Sequence, residues 1–234
     1  MRPQGTSRRE FFILATAAGV ALAIPRGLFA FAEGANPNTD PDACLKQLLD
    51  GNQKFAKGSA SGPGRSPADV RGHAEGQHPK AVIITCSDSR VSPELLFDQG
   101  VGDVFVIRVA GNVVSCAPVE GSIEYGIAEL GAPLIVVLGH SGCGAVKAAL
   151  QQAKDNKPLP GDINDLVQLV KPAVAQSKAM PGDPLANAIR KNVELGVAKL
   201  KGLEPLIAPR VREGKVKVVG GVYDLKTGLV TMVG

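Results

Sequence analysis

Short apolar runs alternate along the chain with stretches in which apolar residues recur every three or four positions. The runs predict buried strands, and the three-to-four spacing predicts helices. The predicted strands cover residues 81–85, 104–109, 134–138, 215–223 and 229–233; the predicted helices cover residues 40–57, 119–130, 142–154, 162–178 and 185–201, and a further helix opens at Ser92-Pro93-Glu94. This order predicts an α/β fold with a central, mostly parallel β-sheet flanked by helices and a site at the carboxyl ends of the strands.

The first 32 residues have the pattern of an export signal. A basic start that includes Arg8-Arg9 precedes an apolar run over residues 11–24, and Ala30-Phe31-Ala32 provides a small-residue cleavage site. The apolar run is shorter than the roughly 20 residues that a membrane-spanning helix needs. The segment over residues 7–12 resembles a twin-arginine signature. We therefore expect an exported, periplasmic protein, with an N-terminal membrane anchor as the alternative.

Removal of this signal defines the expected domain organisation. Residues 1–32 would be the signal peptide, and residues 33–234 a single α/β domain whose first part, residues 33–39, is a polar linker.

The net charge of +4 comes mostly from the leader. Residues 1–32 hold four arginines and one glutamate, and without them the 26 basic and 22 acidic groups of the chain become 22 and 21. A chain this close to neutral has no strong field to attract nucleic acid or an anionic membrane surface. We expect neither of these partners after signal cleavage.

Potential metal ligands follow two of the predicted strands. Cys86 and Asp88 come directly after the first strand, and His140 and Cys143 come after the third. Because neighbouring parallel strands end at the same edge of a sheet, these two turns can converge. Two thiolates with an imidazole favour tetrahedral zinc, and three protein ligands leave a fourth position for water, whose pKa the metal lowers towards ~7.

Each of these features also has a plainer interpretation. A buried cysteine is often a small hydrophobic residue, a buried histidine often has satisfied nitrogens, and Asp88 and Arg90 could form a local salt bridge. With zinc present, Asp88 could either take the fourth metal position or accept a hydrogen bond from the bound water, while Arg90 holds its carboxylate away from the metal. Spacing alone leaves a zinc site and plain packing open.

The two motifs together resemble the paired zinc signature of the beta-carbonic anhydrases. They are Cys86-Ser-Asp-Ser-Arg90 and His140-Ser-Gly-Cys143-Gly144. The resemblance extends over about residues 43–232 and includes residues 51–55, 108–112, 123–125 and 221–224. It implies a zinc lyase that interconverts carbon dioxide and bicarbonate by zinc-bound hydroxide.

The resemblance also implies residue roles. Its zinc ligands would be Cys86, His140 and Cys143, its catalytic pair Asp88 and Arg90, and its substrate-binding residues Gln77, Phe105, Tyr125 and Gly144. Gln77 would hydrogen-bond the substrate, whereas Phe105 and Tyr125 would line a small apolar pocket, with core packing as the alternative for both aromatic rings. Because pockets of this family often form across a dimer interface, a homodimer or higher homo-oligomer is expected.

Some members of the family carry a tryptophan three residues before the first zinc cysteine, together with a bicarbonate site that forces the aspartate onto zinc. This chain has Ile83 there and no tryptophan, so we expect an open, water-bearing site. Hydrolysis of carbonyl sulfide or carbon disulfide, and zinc binding without catalysis, are alternative functions, although the Asp88–Arg90 pair argues against the second. Cys44 and Cys116 could form a disulfide, but we expect two free thiols.

Overall fold

Five strands form one sheet in the order β2-β1-β3-β4-β5. The computed structural model describes residues 36–234, and the predicted signal peptide over residues 1–32 lies outside the described residues. The strands are β1 (Ala81–Thr85), β2 (Val104–Arg108), β3 (Leu134–His140), β4 (Lys217–Tyr223) and β5 (Val230–Val233).

The sheet is parallel except for its last strand. β1 pairs in parallel with both β2 and β3, β3 pairs in parallel with β4, and β5 runs antiparallel to β4. Every residue of β1 and β3 is buried, which is why these strands are continuous apolar runs rather than alternating ones. The predicted fold class, an α/β fold with a mostly parallel sheet flanked by helices, is confirmed.

Eight helices connect and cover the strands of the described region. They are α1 (Pro41–Ala56), α2 (Pro67–Gly72), α3 (Pro93–Leu96), α4 (Ala117–Ala128), α5 (Gly144–Asp155), α6 (Ile163–Ser177), α7 (Pro184–Lys201) and α8 (Ile207–Arg212). The Asp40 carboxylate caps α1 by accepting hydrogen bonds from the backbone N–H groups of Asp42 and Ala43. We did not predict α2 or α8, because six residues are too few to show a helical period.

The helices build a separate hydrophobic core on each face of the sheet. On one face, α4, α7 and α8 pack against β1 and β3. On the other face, α1 and α3 pack against the same two strands. A third cluster, contributed largely by α5, α6 and α7, surrounds the predicted zinc ligands Cys86 and Cys143.

Glycines in β3 and β4 allow Val193 of α7 to pack directly against the sheet. A Cβ added at Gly139 would lie 2.7 Å from a methyl carbon of Val193, and one added at Gly220 would lie 2.6 Å from the other methyl carbon. Real side chains do not approach this closely, so both positions require glycine. Val193 is fully buried as a result, and the position of α7 over the end of the sheet is closely defined.

The loop between α1 and α2 is anchored by a buried carboxylate. Asp98 accepts hydrogen bonds from the backbone N–H groups of Ser61 (3.0 Å) and Gly62 (2.8 Å) and from the Ser61 hydroxyl (3.2 Å). Burial raises the pKa of Asp98, but these hydrogen bonds and the charge of Arg65 more than offset it, so the pKa lies below its usual value.

The described part of the predicted linker packs against the domain. Asn36 is buried, and its side-chain nitrogen donates to the carbonyl groups of Pro79 and Leu130 at 2.9 and 3.0 Å. Residues 36–234 lie within one compact unit. No helix within that range is both long and apolar enough to cross a membrane.

Candidate metal centre

Cys86 and His140 are brought together by two neighbouring parallel strands. β1 ends at Thr85, directly before Cys86, and β3 ends at His140. Thr85 pairs with Leu138 across the two strands, so the segments that follow β1 and β3 leave the sheet at the same edge. Cys143 follows at the N-terminus of α5. The two turns therefore converge, as the sequence predicts.

The three side chains form a cluster that could hold a metal ion. The sulfur atoms of Cys86 and Cys143 and a ring nitrogen of His140 all lie within 4.8 Å of one another. The residues are 5%, 1% and 0% exposed, respectively. Two sulfur donors and one imidazole in a buried setting suit tetrahedral zinc, with one position left for water or substrate.

The orientation of His140 leaves one nitrogen for a metal. Its Nδ1 lies 3.0 Å from the carbonyl oxygen of Ser141, which can only accept a hydrogen bond, so Nδ1 carries the hydrogen. Nε2 then has a free lone pair, and it is buried without a hydrogen-bond partner among the described residues. Metal-binding histidines commonly have this arrangement, whereas an unpaired buried nitrogen is costly in a plain core. The residues present thus fit a zinc ion.

The two thiols influence each other strongly. The contact with the Cys143 thiol is the main cause that lowers the pKa of Cys86, and the same contact raises the pKa of Cys143. The backbone N–H of Gly111 also donates to Cys86 Sγ at 3.3 Å. This N–H favours the thiolate form of Cys86, and a bound dication would favour the deprotonated form of both cysteines.

Asp88 and Arg90 form a bidentate ion pair beside the cluster. Arg90 donates from Nε to Asp88 Oδ1 at 2.9 Å and from Nη2 to Oδ2 at 2.7 Å. The Arg90 hydrogen bond holds the pKa of Asp88 well below its usual range. Asp88 Oδ2 lies 3.8 Å from His140 Nε2, so the carboxylate borders the cluster while Arg90 engages both of its oxygens. This geometry favours Asp88 as a hydrogen-bond acceptor over Asp88 as a metal ligand.

Arg108 is a contributor to the site for which sequence reasoning assigned no role. It is the last residue of β2, and it donates from Nη2 to the carbonyl oxygen of Asp88 at 2.6 Å and from Nε to that of Cys86 at 3.3 Å. The turn that carries a metal ligand and the acidic residue is thus tied to the neighbouring strand. The signal available in the sequence was an arginine at the end of a strand predicted to lie in the same sheet.

The predicted substrate-binding residues are spread over the chain. Gly144 is exposed beside Cys143, and a Cβ there would meet nothing within 4 Å. Phe105 pairs with Val82 near the amino end of β1, roughly 13 Å along the strand from Cys86 at ~3.3 Å per residue. Tyr125 lies with Phe105, with ring centroids 6.1 Å apart.

Tyr125 and the fourth predicted residue, Gln77, lie on exposed parts of the surface. Tyr125 is 50% exposed, and Gln77 is exposed on the loop that leads into β1. A single chain therefore does not bring Phe105 and Tyr125 to the metal cluster.

All four cysteines are free, which agrees with the expectation of two free thiols at Cys44 and Cys116.

These features define an α/β metalloenzyme with a buried Cys-His-Cys centre at the carboxyl edge of a parallel sheet. Comparison with known proteins agrees with this class. The sequence profile of the carbonic anhydrase family matches residues 81–230. Carbonic anhydrase 2 of Mycobacterium tuberculosis strain H37Rv is 42% identical over 192 residues, which cover 82% of this chain and 92% of that protein.

Solved structures of beta-carbonic anhydrases have the same fold. The beta-carbonic anhydrase CcaA superposes with a TM-score of 0.64 and 29% identity, covering 81% of this chain and 98% of that one. One of two tetrameric beta-carbonic anhydrases of the ascomycete Sordaria macrospora superposes with a TM-score of 0.64 and 26% identity, covering 82% and 98%. The chain belongs to the carbonic anhydrase family, in its beta class, and is a lyase.

Proposed function

We propose that this protein interconverts carbon dioxide and bicarbonate at a zinc ion held by Cys86, His140 and Cys143, with Asp88 and Arg90 as the catalytic pair. The observation that carries the proposal is the buried Cys-His-Cys cluster with an acidic residue 3.8 Å from the unpaired His140 nitrogen. A purely structural zinc site would have no use for this acidic residue or for the arginine that holds it.

When bound, zinc supplies a Lewis acid that lowers the pKa of water towards ~7, so that hydroxide is available at neutral pH. Asp88 accepts a hydrogen bond from the reacting water and so directs an oxygen lone pair towards carbon dioxide. An aspartate is ionised at neutral pH in any case, and the lowered pKa that Arg90 gives Asp88 keeps the carboxylate an acceptor in mild acid as well. Arg90 also restrains Asp88 from moving onto the metal.

The experiment that tests this function uses the proposed mature chain, residues 33–234. Zinc content is measured first, with one ion per chain expected, and carbon dioxide hydration is then followed by stopped flow. We expect Asp88→Asn to lose most of its activity while it retains zinc. Zinc without hydration in the unmodified protein would contradict the proposal, and carbonyl sulfide would then be the next substrate to test.

We infer that the active form is a homodimer or a higher homo-oligomer whose partner chain completes the substrate pocket. Three of the residues that the resemblance assigns to substrate, Gln77, Phe105 and Tyr125, lie away from the cluster or on exposed surface in one chain. A structural relative is described as tetrameric. Light scattering should show a dimer or larger species, and Tyr125→Ala should raise KM without loss of zinc. A fully active monomer would exclude this inference.

We also propose that the protein is exported to the periplasm through the twin-arginine route and that residues 1–32 are removed. The support is the Arg8-Arg9 pair, the short apolar run and the small residues before position 33. Cell fractionation should find a shortened protein in the periplasm, with a mass that corresponds to residues 33–234. Replacement of both arginines by lysine should retain the full-length chain inside the cell; unchanged export would refute the assigned route.

A further inference from the structure

We propose that Asn192 is a positioning residue for the metal centre, because it holds the peptide segment that donates a hydrogen bond to the Cys86 thiolate. The proposal rests on the proposed function, since it takes Cys86 as a zinc ligand. Among the described residues, the Asn192 side chain hydrogen-bonds to Gly111 rather than to a predicted metal ligand. It acts through Gly111, which lies 81 residues earlier in the chain.

Gly111 has a separate hydrogen bond at each end of its backbone. Its N–H donates to Cys86 Sγ at 3.3 Å, and its carbonyl oxygen accepts from Asn192 Nδ2 at 2.8 Å. The residue lies in the 3-10 turn Ala110–Asn112 that follows β2, with φ of 71° and ψ of 14°. The two groups belong to consecutive peptide planes that meet at the Gly111 Cα, so the hydrogen bond from Asn192 fixes the plane next to the one whose N–H points at the sulfur.

The conformation of Gly111 needs support from outside the turn. Glycine reaches a φ of 71° without strain, but it also reaches many other conformations. A Cβ here would lie 3.1 Å from the Ala145 methyl carbon and 3.3 Å from a methyl carbon of Val170, so a side chain that could stiffen the turn has little room. An amide anchor from another element restricts the backbone without occupying that space.

α7 is well suited to supply this anchor. The neighbouring residue, Val193, is enclosed against Gly139 and Gly220 in the sheet, and this contact determines how far α7 lies from the strands. Asn192 is 9% exposed, so its hydrogen bond to Gly111 is largely protected from competing water. The anchor and the metal centre are therefore connected through rigid packing.

Loss of the Asn192 hydrogen bond should weaken the donation from Gly111 N–H to the Cys86 sulfur and so change how strongly that sulfur binds a metal. A backbone N–H that points at a thiolate stabilises its negative charge. Partners of this kind, which orient or polarise metal ligands, typically change metal affinity by 10–100-fold when they are removed. Since Asn192 acts through one intervening residue, we expect the lower end of this range, about tenfold.

The test measures zinc affinity by chelator competition and the thiolate-to-metal absorption band after cobalt substitution, using the full chain. Asn192→Leu, which has similar size and no amide, should weaken zinc binding about tenfold and shift the cobalt band. Asn192→Gln, which retains an amide, should recover part of both properties. If Asn192→Leu does not fold, the smaller replacement Asn192→Ser is assessed in the same two assays.

The matched control is Asn52→Leu. Asn52 is also a buried asparagine, and its Nδ2 donates to the carbonyl groups of Leu96 (3.0 Å) and Gly228 (2.9 Å), which belong to a different part of the core. This variant should lose thermal stability while zinc affinity and the cobalt band stay unchanged. A purely structural role for Asn192 would give the Asn192 and Asn52 variants the same pattern, with lower thermal stability and unchanged zinc affinity. Unchanged zinc binding and cobalt absorption in folded Asn192 variants would therefore overturn the proposal. Failure of the unmodified protein to bind zinc would instead refute the proposed function.

Discussion

The ion pair between Asp88 and Arg90 allows a test of whether the arginine acts by its charge or by its geometry. Arg90 makes two parallel hydrogen bonds of 2.9 and 2.7 Å to the two carboxylate oxygens. Lysine would retain the positive charge but could not reproduce the planar pair of donors. We therefore compare Arg90→Lys with Arg90→Gln, which retains polarity but loses the charge.

The magnitude follows from the orientation that the two hydrogen bonds impose on Asp88. The Arg90 side chain is 59% exposed, so the ion pair itself adds little to the stability of the fold. Misplacement of a catalytic group by about 1 Å can, however, lower a rate by about a hundredfold. Arg90→Gln removes the planar pair of donors together with the charge, so we expect it to lower kcat/KM by about a hundredfold. Arg90→Lys retains the charge and can form one of the two bonds, so we expect a smaller loss of about tenfold.

Stopped-flow carbon dioxide hydration, with zinc content measured for each variant, provides the assay. Ser89→Ala is the control within the same turn, since Ser89 is exposed and a surface change of this kind should alter free energies by less than about 0.5 kcal/mol. Equal activity losses in Arg90→Lys and Arg90→Gln would refute the geometric explanation. Loss of zinc from either variant would show that Arg90 supports the metal centre rather than the reaction.

Further predictions concern stability. Gly220→Ala should destabilise the fold by about 1–3 kcal/mol in urea titrations, because its Cβ would lie 2.6 Å from a methyl carbon of Val193. Gly121→Ala in α4 should instead increase the free energy of unfolding by about 0.5–1 kcal/mol, since its Cβ meets nothing within 4 Å. Equal urea midpoints for the two glycine variants would contradict this account of the packing. Asp98→Asn should cost about 1–3 kcal/mol near neutral pH. The pKa of Asp98 is lowered in the fold, so the difference in unfolding free energy between the unmodified protein and Asp98→Asn should be complete above the unfolded pKa of about 3.9. This difference should shrink as pH falls through the native pKa. A difference that grows with acid would be inconsistent with the native hydrogen bonds. Zinc removal should lower the melting temperature, by an amount equivalent to about 2.7 kcal/mol when free zinc had been at about a hundred times its Kd, and identical melting curves with and without chelator would exclude a zinc site that stabilises the fold.

Local sequence patterns predicted most elements, because their signals lie within a few residues. The helix from Pro41 to Ala56 has its capping residue directly before it, and the buried strands appear as unbroken apolar runs. Ser92 shows the limit of such signals. It precedes a helix as expected, but that helix has four residues and Ser92 makes no side-chain capping hydrogen bond. Tertiary contacts, rather than the cap, therefore maintain the short helix.

The candidate metal ligands could be predicted because two motifs placed Cys86, His140 and Cys143 at the ends of neighbouring strands. The residue types and their spacing left zinc and plain packing open, and the resemblance of the two motifs to the beta-carbonic anhydrases favoured zinc. Sulfur and imidazole donors favour zinc irrespective of how the rest of the chain folds. The short motifs, together with that resemblance, predicted the ligand set and the class of metal, and the cluster of Cys86, His140 and Cys143 is consistent with both.

Only the tertiary structure decided how those atoms are supported. Arg108 reaches the Asp88 turn from another strand, and Asn192 reaches Gly111 from a helix 81 residues away. Neither contact has a local pattern, because each depends on strand order and on how closely α7 approaches the sheet. That distance is determined by side-chain packing around Val193, a property of the assembled core rather than of any segment. The sequence alone therefore determined the ligands, whereas the close packing of distant segments decided their orientation and surroundings.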